Sequence, residues 1–335
     1  MPQYFGKLQT LAQPWSTIEA VQSINKTDRT IDFNCGEASL SLSVLAPNLI
    51  RVRISPTGEF RAQSHSVMLD DENWSIVPFD VRETAENVVI ETAQISVSVK
   101  RDRATIECFD KSGIPFASDT ASATAWRTGA IANWKRIEAD EHFYGFGQRT
   151  GLLDKLSEVK TNWTTDALDY SSLTDAMYQA IPFFIALRPD RAYGIFFNTT
   201  FWSQFDIGAE QPGVLRMETK GPELDYYIIY GPEPAQILTT YTKLTGRMPL
   251  PPKWALGYHQ CRWSYESEEV VRELASEFRD RALPCDVIHL DIDYMRGYRV
   301  FTWSPKRFPD PAKLIADLQA NGFKVVTIID PGVKY

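Results

Sequence analysis

Short runs in which apolar and polar residues alternate fill the chain from about residue 15 to residue 245. In ASLSLSVLA (38–46), Leu40, Leu42 and Val44 are separated by serines, the period-two pattern of a half-buried strand. NLIRVRI (48–54), NVVIETAQISVSVK (87–100), ATIECFD (104–110), FFIALR (183–188), AYGIFFN (192–198) and LDYYIIYG (224–231) continue the series. Asn, Asp, Gly and Pro bound these runs, as turn chemistry demands. The pattern predicts a large antiparallel β-sandwich with apolar positions on both inner faces. One helix, PAQILTTYTKLTG (234–246), is expected to close it.

A stiff PLPP segment at 249–252 then marks a boundary, giving domains at 1–248 and 249–335. Beyond it the period changes. WALGYHQ (254–260) reads as a buried strand. Ser267 is placed to cap a helix whose first turn carries Glu268 and Glu269 and whose apolar face is Val271, Leu274 and Phe278. DVIHLDID (286–293) reads as a second strand and KVVTIID (324–330) as a third. Between them Asp310 and Pro311 open the helix PAKLIADLQANG, and Gly322 stops it. A β-α-β-α-β order implies parallel strands. Without a glycine-rich turn after the first strand, a (β/α)8 TIM barrel is favoured over a dinucleotide-binding sheet. A barrel needs eight such units in about 250 residues. Three are expected here, so the chain reads as the truncated front part of a longer protein. Its open sheet edges are expected to drive association.

The 335 residues are 44% hydrophobic and 23% charged, a globular composition, with a net charge of −8 and a pI near 5.2. That charge disfavours nucleic acid and anionic membranes as partners. No apolar run approaches the roughly 20 residues of a membrane span. The opening MPQYFGKLQTLAQPW lacks a basic segment followed by an apolar one, so the chain reads as cytoplasmic. Four scattered cysteines and four scattered histidines form no C-x-x-C or H-E-x-x-H pattern, so no metal site is expected.

The polar residues that follow the barrel strands carry the candidate chemistry, because a barrel's active face is built at the C-terminal strand ends. They are Gln260 to Tyr265, Asp291 to Met295 and Asp330 to Gly332; the sandwich adds Asn162 to Asp166. Carboxylates beside aromatic rings suit a neutral sugar, whose hydroxyls pair with oxygens while its apolar face lies on an indole. Spacing alone leaves bland roles open. Asp291 and Asp293 serve equally as caps, Asp330–Pro331 as a turn, Trp263 as packing, and Arg262 as a brace for Asp291 or Asp293.

The ordered motifs W-A-L-G-Y-H-Q-C-R-W-S-Y (254–265), L-P-C-D-V-I-H-L-D-I-D-Y-M (283–295) and V-V-T-I-I-D-P (325–331) resemble the opening of the catalytic barrel of glycoside hydrolase family thirty-one. Upstream, Y-G-F-G-Q-R-T-G (144–151), N-W-T-T-D-A (162–167) and I-P-F-F-I (181–185) are similar to that family's mutarotase-like sandwich and the loop it sends to the active site. The resemblance implies that Asp166 contacts sugar hydroxyls and that Asp291 binds the non-reducing glucose. It implies that Trp263, Ile292 and Ile328 line the same pocket, with Asp293 and Asp330 structural. D-I-D-Y-M resembles the α-glucosidase branch.

Such enzymes retain configuration through an Asp nucleophile and a second carboxylic acid. The family's W-x-D-M-N-E-P-like nucleophile element has no counterpart in this sequence, so no catalytic residue is assigned. The expectation is the N-terminal part of a retaining α-glucosidase that removes terminal glucose from maltooligosaccharides or related α-glucosides. It would use no metal or organic cofactor, be inactive by itself, and have the C-terminal remainder of the enzyme as its partner. An α-glucan lyase or transglucosidase on the same scaffold, or a non-catalytic carbohydrate-binding module, are the alternatives.

Overall fold

The computed structural model describes residues 14–62 and 66–331, so most of the segment read above for a leader, and Gly332, lie outside the described residues. The chain divides into two compact units between Arg247 and Met248. No helix among the described residues is long and apolar enough to cross a membrane.

The first unit is built from three antiparallel sheets. An eight-stranded sheet runs in the order His142–Gly145, Phe183–Arg188, Arg191–Phe197, Leu224–Gly231, Leu49–Ser55, Ala38–Ala46, Thr30–Cys35 and Ser23–Lys26. Its apolar face shares one core with a six-stranded sheet centred on Ala130–Arg136 and Val214–Thr219 and a five-stranded meander centred on Ile95–Lys100. The run read across 87–100 is a hairpin of two strands, Asn87–Glu91 and Ile95–Lys100, whose turn is fixed by the Thr92 hydroxyl accepting from the Gln94 and Ile95 amides.

Two strands are buried on both faces, which explains their near-continuous apolar runs. Along Arg191–Phe197, Tyr193, Ile195 and Phe197 enter the sandwich core, while Ala192 and Phe196 point the other way. Leu224–Gly231 divides likewise, with Tyr226 and Ile228 inward and Tyr227 and Ile229 outward. The outward residues are covered by helix α1 (Pro234–Thr245) through Ile237 and Leu244. The Phe183 and Tyr241 rings stack with centroids 3.8 Å apart. Gly194 permits this close approach, since a Cβ there would lie 2.7 Å from Ile237 Cγ2.

A polar knot crosses the core. Lys135 is fully buried and pairs with Asp119 at 2.8 Å, while Asp119 also accepts from the Ile106 amide and from Asn133 Nδ2. The Ile106 bond ties the five-stranded sheet to the six-stranded one. Burial opposes the ammonium charge, but the Asp119 carboxylate outweighs it and holds the Lys135 pKa above the ordinary lysine value.

The second unit contains three parallel strands, His259–Gln260, Val287–Leu290 and Lys324–Thr327, with the middle one paired to both others. Helix α2 (Glu268–Asp280) is capped by the Ser267 side chain, which accepts from the Val270 amide. Helix α3 (Pro311–Ala320) is capped by Asp310, which accepts from the Lys313 amide at 2.9 Å. Val271, Ala275, Leu314 and Leu318 pack on Ile288 and Leu290, with Leu274 and Phe278 at the margin. Arg272 joins the helices by bridging Glu268 and Asp317.

The buried strand expected over 254–260 is not formed. Lys253–Leu256 is a turn of 3-10 helix and only His259–Gln260 pairs as strand. Pro251 and Pro252 bring no amide to a ladder, and the Pro252 carbonyl accepts from the Ala255 amide, starting a turn where the apolar residues suggested an extended run.

Candidate functional site

In the second unit the parallel register fixes which residues meet. Asp291 directly follows the middle strand and Ile328 follows the third, and the Ile328 amide donates to the Leu290 carbonyl at 3.0 Å. Asp291 and Ile328 therefore stand side by side at the C-terminal end of the sheet. Asp291 caps the turn Ile292–Tyr294, with Oδ1 accepting from the Ile292 amide at 2.7 Å. Its second carboxylate oxygen makes no hydrogen bond among the described residues. Ile292 packs partly against the unit's core. Ile328 is 40% exposed, and its carbonyl accepts from the Tyr294 hydroxyl at 2.8 Å.

Trp263 lies on the loop after the first strand and is 80% exposed, so it is not a packing residue of this unit. The loop's base is ordered by Gln260, whose amide accepts from the Tyr258 hydroxyl at 2.6 Å and donates to the Tyr265 hydroxyl at 2.7 Å. Asp293 has a structural partner, but it is Arg307, whose guanidinium forms a close ion pair with Oδ1. Arg262 is exposed and does not brace either aspartate. Asp330 is exposed, with a left-handed φ of 43°.

In the first unit, Asp166 is exposed and makes no ion pair among the described residues. The segment that carries it is held by groups that sequence reading passed over. Arg149 donates to the Phe146 carbonyl, the Asp175 carbonyl and Asn162 Oδ1. The Asp175 carboxylate accepts from the Thr161 amide, and the Thr165 amide donates to the Met177 carbonyl. Arg149 stands in the Y-G-F-G-Q-R-T-G motif, which was the available signal.

Two histidines that looked scattered meet. His259 aligns with Val287 across the parallel pair, so His289 lies diagonally adjacent on the face opposite Ile288 and Leu290. His259 Nδ1 is 3.1 Å from His289 Nε2, while His259 Nε2 is buried without a hydrogen-bond partner among the described residues. Burial and the neighbouring His259 lower the His289 pKa below its usual 6.5. The unfolded chain therefore takes up this proton first, and the second unit loses stability as pH falls from about 6.5 through the lowered folded value. The first unit carries the opposite sign at Glu141, which burial pushes up to about 7 from 4.5. Its contribution is present below the unfolded value and is lost as pH rises toward 7. Hydrogen exchange read at Val287–Leu290 and at Phe183–Arg188 should show these opposite slopes, and His289→Gln should flatten only the first. Equal slopes at both strands would refute the assignment.

Among the described residues no group of three or more His, Cys, Asp or Glu side chains comes together to hold a metal. Chemically, the second unit offers a carboxylate oxygen, an indole and an isoleucine at one sheet end, a set suited to a neutral hydroxylated ring.

Comparison with known proteins gives the same direction. Residues 39–206 match the glycosyl hydrolase 31 N-terminal galactose mutarotase-like domain, and residues 248–335 match the glycosyl hydrolases family 31 TIM-barrel domain. An α-glucosidase 2 of Bacillus thermoamyloliquefaciens is 39% identical over 94% of this chain, which spans 40% of that relative's length. An α-xylosidase of Lactiplantibacillus pentosus is 26% identical over 97% of the chain and 42% of its own. Among solved structures, a GH31 dextranase of Flavobacterium johnsoniae complexed with isomaltotriose matches with a TM-score of 0.87 and 30% identity, covering 93% of this chain and 38% of the dextranase.

Proposed function

From a chain that belongs to glycosyl hydrolase family 31, we propose the sugar-holding part of a retaining, exo-acting α-glucosidase. The observation that carries this reading is Asp291, fixed by one carboxylate oxygen at a parallel strand end with the other unbonded, on the same sheet end as Trp263 and Ile328. Asp291 accepts hydroxyl protons of the terminal glucose, while Trp263, Ile292 and Ile328 bound the ring. Asp166, exposed and without an ion pair among the described residues, likewise accepts sugar hydroxyls. These contacts orient the glycosidic bond, which is catalysis by positioning. The nucleophile and the acid/base are supplied by residues outside this chain, and the paired carboxylates of a retaining site lie about 5–5.5 Å apart.

The 39% identity to an α-glucosidase favours terminal α-glucose as the group removed. The likeness to a dextranase bound to isomaltotriose favours a second reading, in which the linkage attacked is that of an isomalto-oligosaccharide. Incubation of a longer protein containing this chain with maltotriose or isomaltotriose, followed by proton NMR at the anomeric positions, separates the cases. We expect α-glucose as the first product. β-Glucose would overturn retention, an unsaturated anhydro-sugar would mean a lyase, and faster use of isomaltotriose would select the second reading.

A further inference from the structure

In the first unit a cavity of about 330 Å³ opens at the root of the segment that carries Asp166. Its lining is wholly uncharged. The Trp163 and Phe201 rings stand at its rim, 55% and 41% exposed, and Phe196 and Tyr241 form its wall. Thr164, Thr199 and Thr200 line it as well.

The informative group is Asn162, a lining residue that is only 4% exposed. Its Oδ1 accepts from Arg149 Nη2 at 3.0 Å. An arginine has only donors, so the amide oxygen must face Arg149 and the NH2 must face away from it. That Nδ2 is buried and has no hydrogen-bond partner among the described residues. Ser203, opposite Asn162 in the strand register, likewise has a buried, unpartnered hydroxyl. Buried donors are rarely left unpaired in a folded protein, so an orphaned NH2 on a residue that lines a cavity calls for an acceptor.

A wider cavity of about 570 Å³ elsewhere in the unit offers a contrast. There Asn48 Nδ2 already bonds the Tyr230 carbonyl and Thr240, and Asp110 pairs with Arg191, so its polar groups are satisfied by the fold.

We infer that the Asn162 cavity is a subsite for one neutral pyranose ring, with Asn162 Nδ2 donating to a ring hydroxyl and Trp163 and Phe201 covering the apolar sugar face. An anion would find no positive charge in the lining, and a purely apolar ligand would leave the Asn162 donor unpaired. The volume lies at the small end of the roughly 300–1,000 Å³ of ligand pockets, which fits one ring rather than a chain. The identity of that ring as a glucosyl unit rests on the α-glucoside reading above.

The test uses the whole 335-residue chain labelled with nitrogen-15 and titrated with glucose and with maltotriose. The Asn162 side-chain NH2 pair is identified by its absence from Asn162→Asp, a variant used for assignment only, since it keeps an acceptor for Arg149 but puts a charged acceptor in place of the donor. The Trp163 indole N–H is identified by Trp163→Phe. Both signals are expected to shift with either sugar. Trp163→Ala, which removes the ring that covers the sugar face, should weaken that binding about tenfold, equivalent to about 1.4 kcal/mol. Phe201→Ala, a change at an exposed rim, should weaken it as well. Unmoved Asn162 and Trp163 signals beside shifts that Asp291→Asn abolishes would overturn the subsite and leave the α-glucoside reading standing. No shift anywhere in the chain at saturating sugar would overturn both.

Discussion

Asp291→Asn, introduced into an active longer protein, is expected to lower kcat/KM for an aryl α-glucoside by about 100- to 1,000-fold. A hydrogen bond to a charged acceptor is worth about 1.5–3 kcal/mol, and a carboxylate holding two sugar hydroxyls forfeits both charge-assisted bonds when it becomes an amide. The change is isosteric, and Asn retains an oxygen for the Ile292 amide that Asp291 now binds at 2.7 Å. The turn Ile292–Tyr294 should therefore survive, and the loss should appear in activity with little change in melting temperature. A fall of less than fivefold would remove Asp291 from the substrate's hydroxyls. Asp293→Asn should behave differently, since its carboxylate is already taken by Arg307.

Lys135→Met is expected to destabilise the first unit by about 3–5 kcal/mol, because it strands a buried carboxylate. Asp119 is as deeply buried as Lys135, and it would keep only the Ile106 amide and Asn133. For a unit of this size that loss corresponds to a fall in Tm of roughly 10 °C or more. The double variant Lys135→Met with Asp119→Leu should lose less than the two single changes added together, since no isolated charge remains and the groups left unpaired, the Ile106 amide, the Ala117 carbonyl and the Tyr226 hydroxyl, are neutral. Urea denaturation with an unchanged m-value checks this. A cost below about 1 kcal/mol for Lys135→Met would mean that water reaches the pair.

Much of the first unit was legible because its strands are short apolar or alternating runs bounded by turn residues. The bounds of Phe183–Arg188 and Leu224–Gly231 coincide with the apolar runs that suggested them. What periodicity does not convey is a second covering layer. The outward residues Phe196 and Tyr227 are apolar because helix α1 lies on them, and only the folded chain brings that helix back onto those strands. In the second unit the apolar W-A-L of 254–256 misled, since the preceding prolines favour a turn over a ladder.

At the candidate site, Asp291 was legible from its place after an apolar strand and from the D-I-D-Y-M motif. Its surroundings were not. Arg307 reaches Asp293 from a loop 14 residues onward, whereas the nearer-seeming Arg262 stays exposed. The His259–His289 contact depends on parallel register, which hydrophobic pattern does not encode. Arg149 was visible as a letter in a motif, but two of its three partners, the Asp175 carbonyl and Asn162 Oδ1, lie in segments that approach only on folding.

The most direct test of the central claim, that this chain holds the sugar and does not break the bond, is release of 4-nitrophenol from 4-nitrophenyl α-glucoside. It should be measured with residues 1–335 alone beside a protein in which they are continued by the remainder of a family 31 catalytic domain. Turnover is expected from the longer protein, sensitive to Asp291→Asn, and none from the 335-residue chain. Turnover by the chain alone would place the nucleophile and the acid among carboxylates read here as positioning or structural groups, and would contradict that claim.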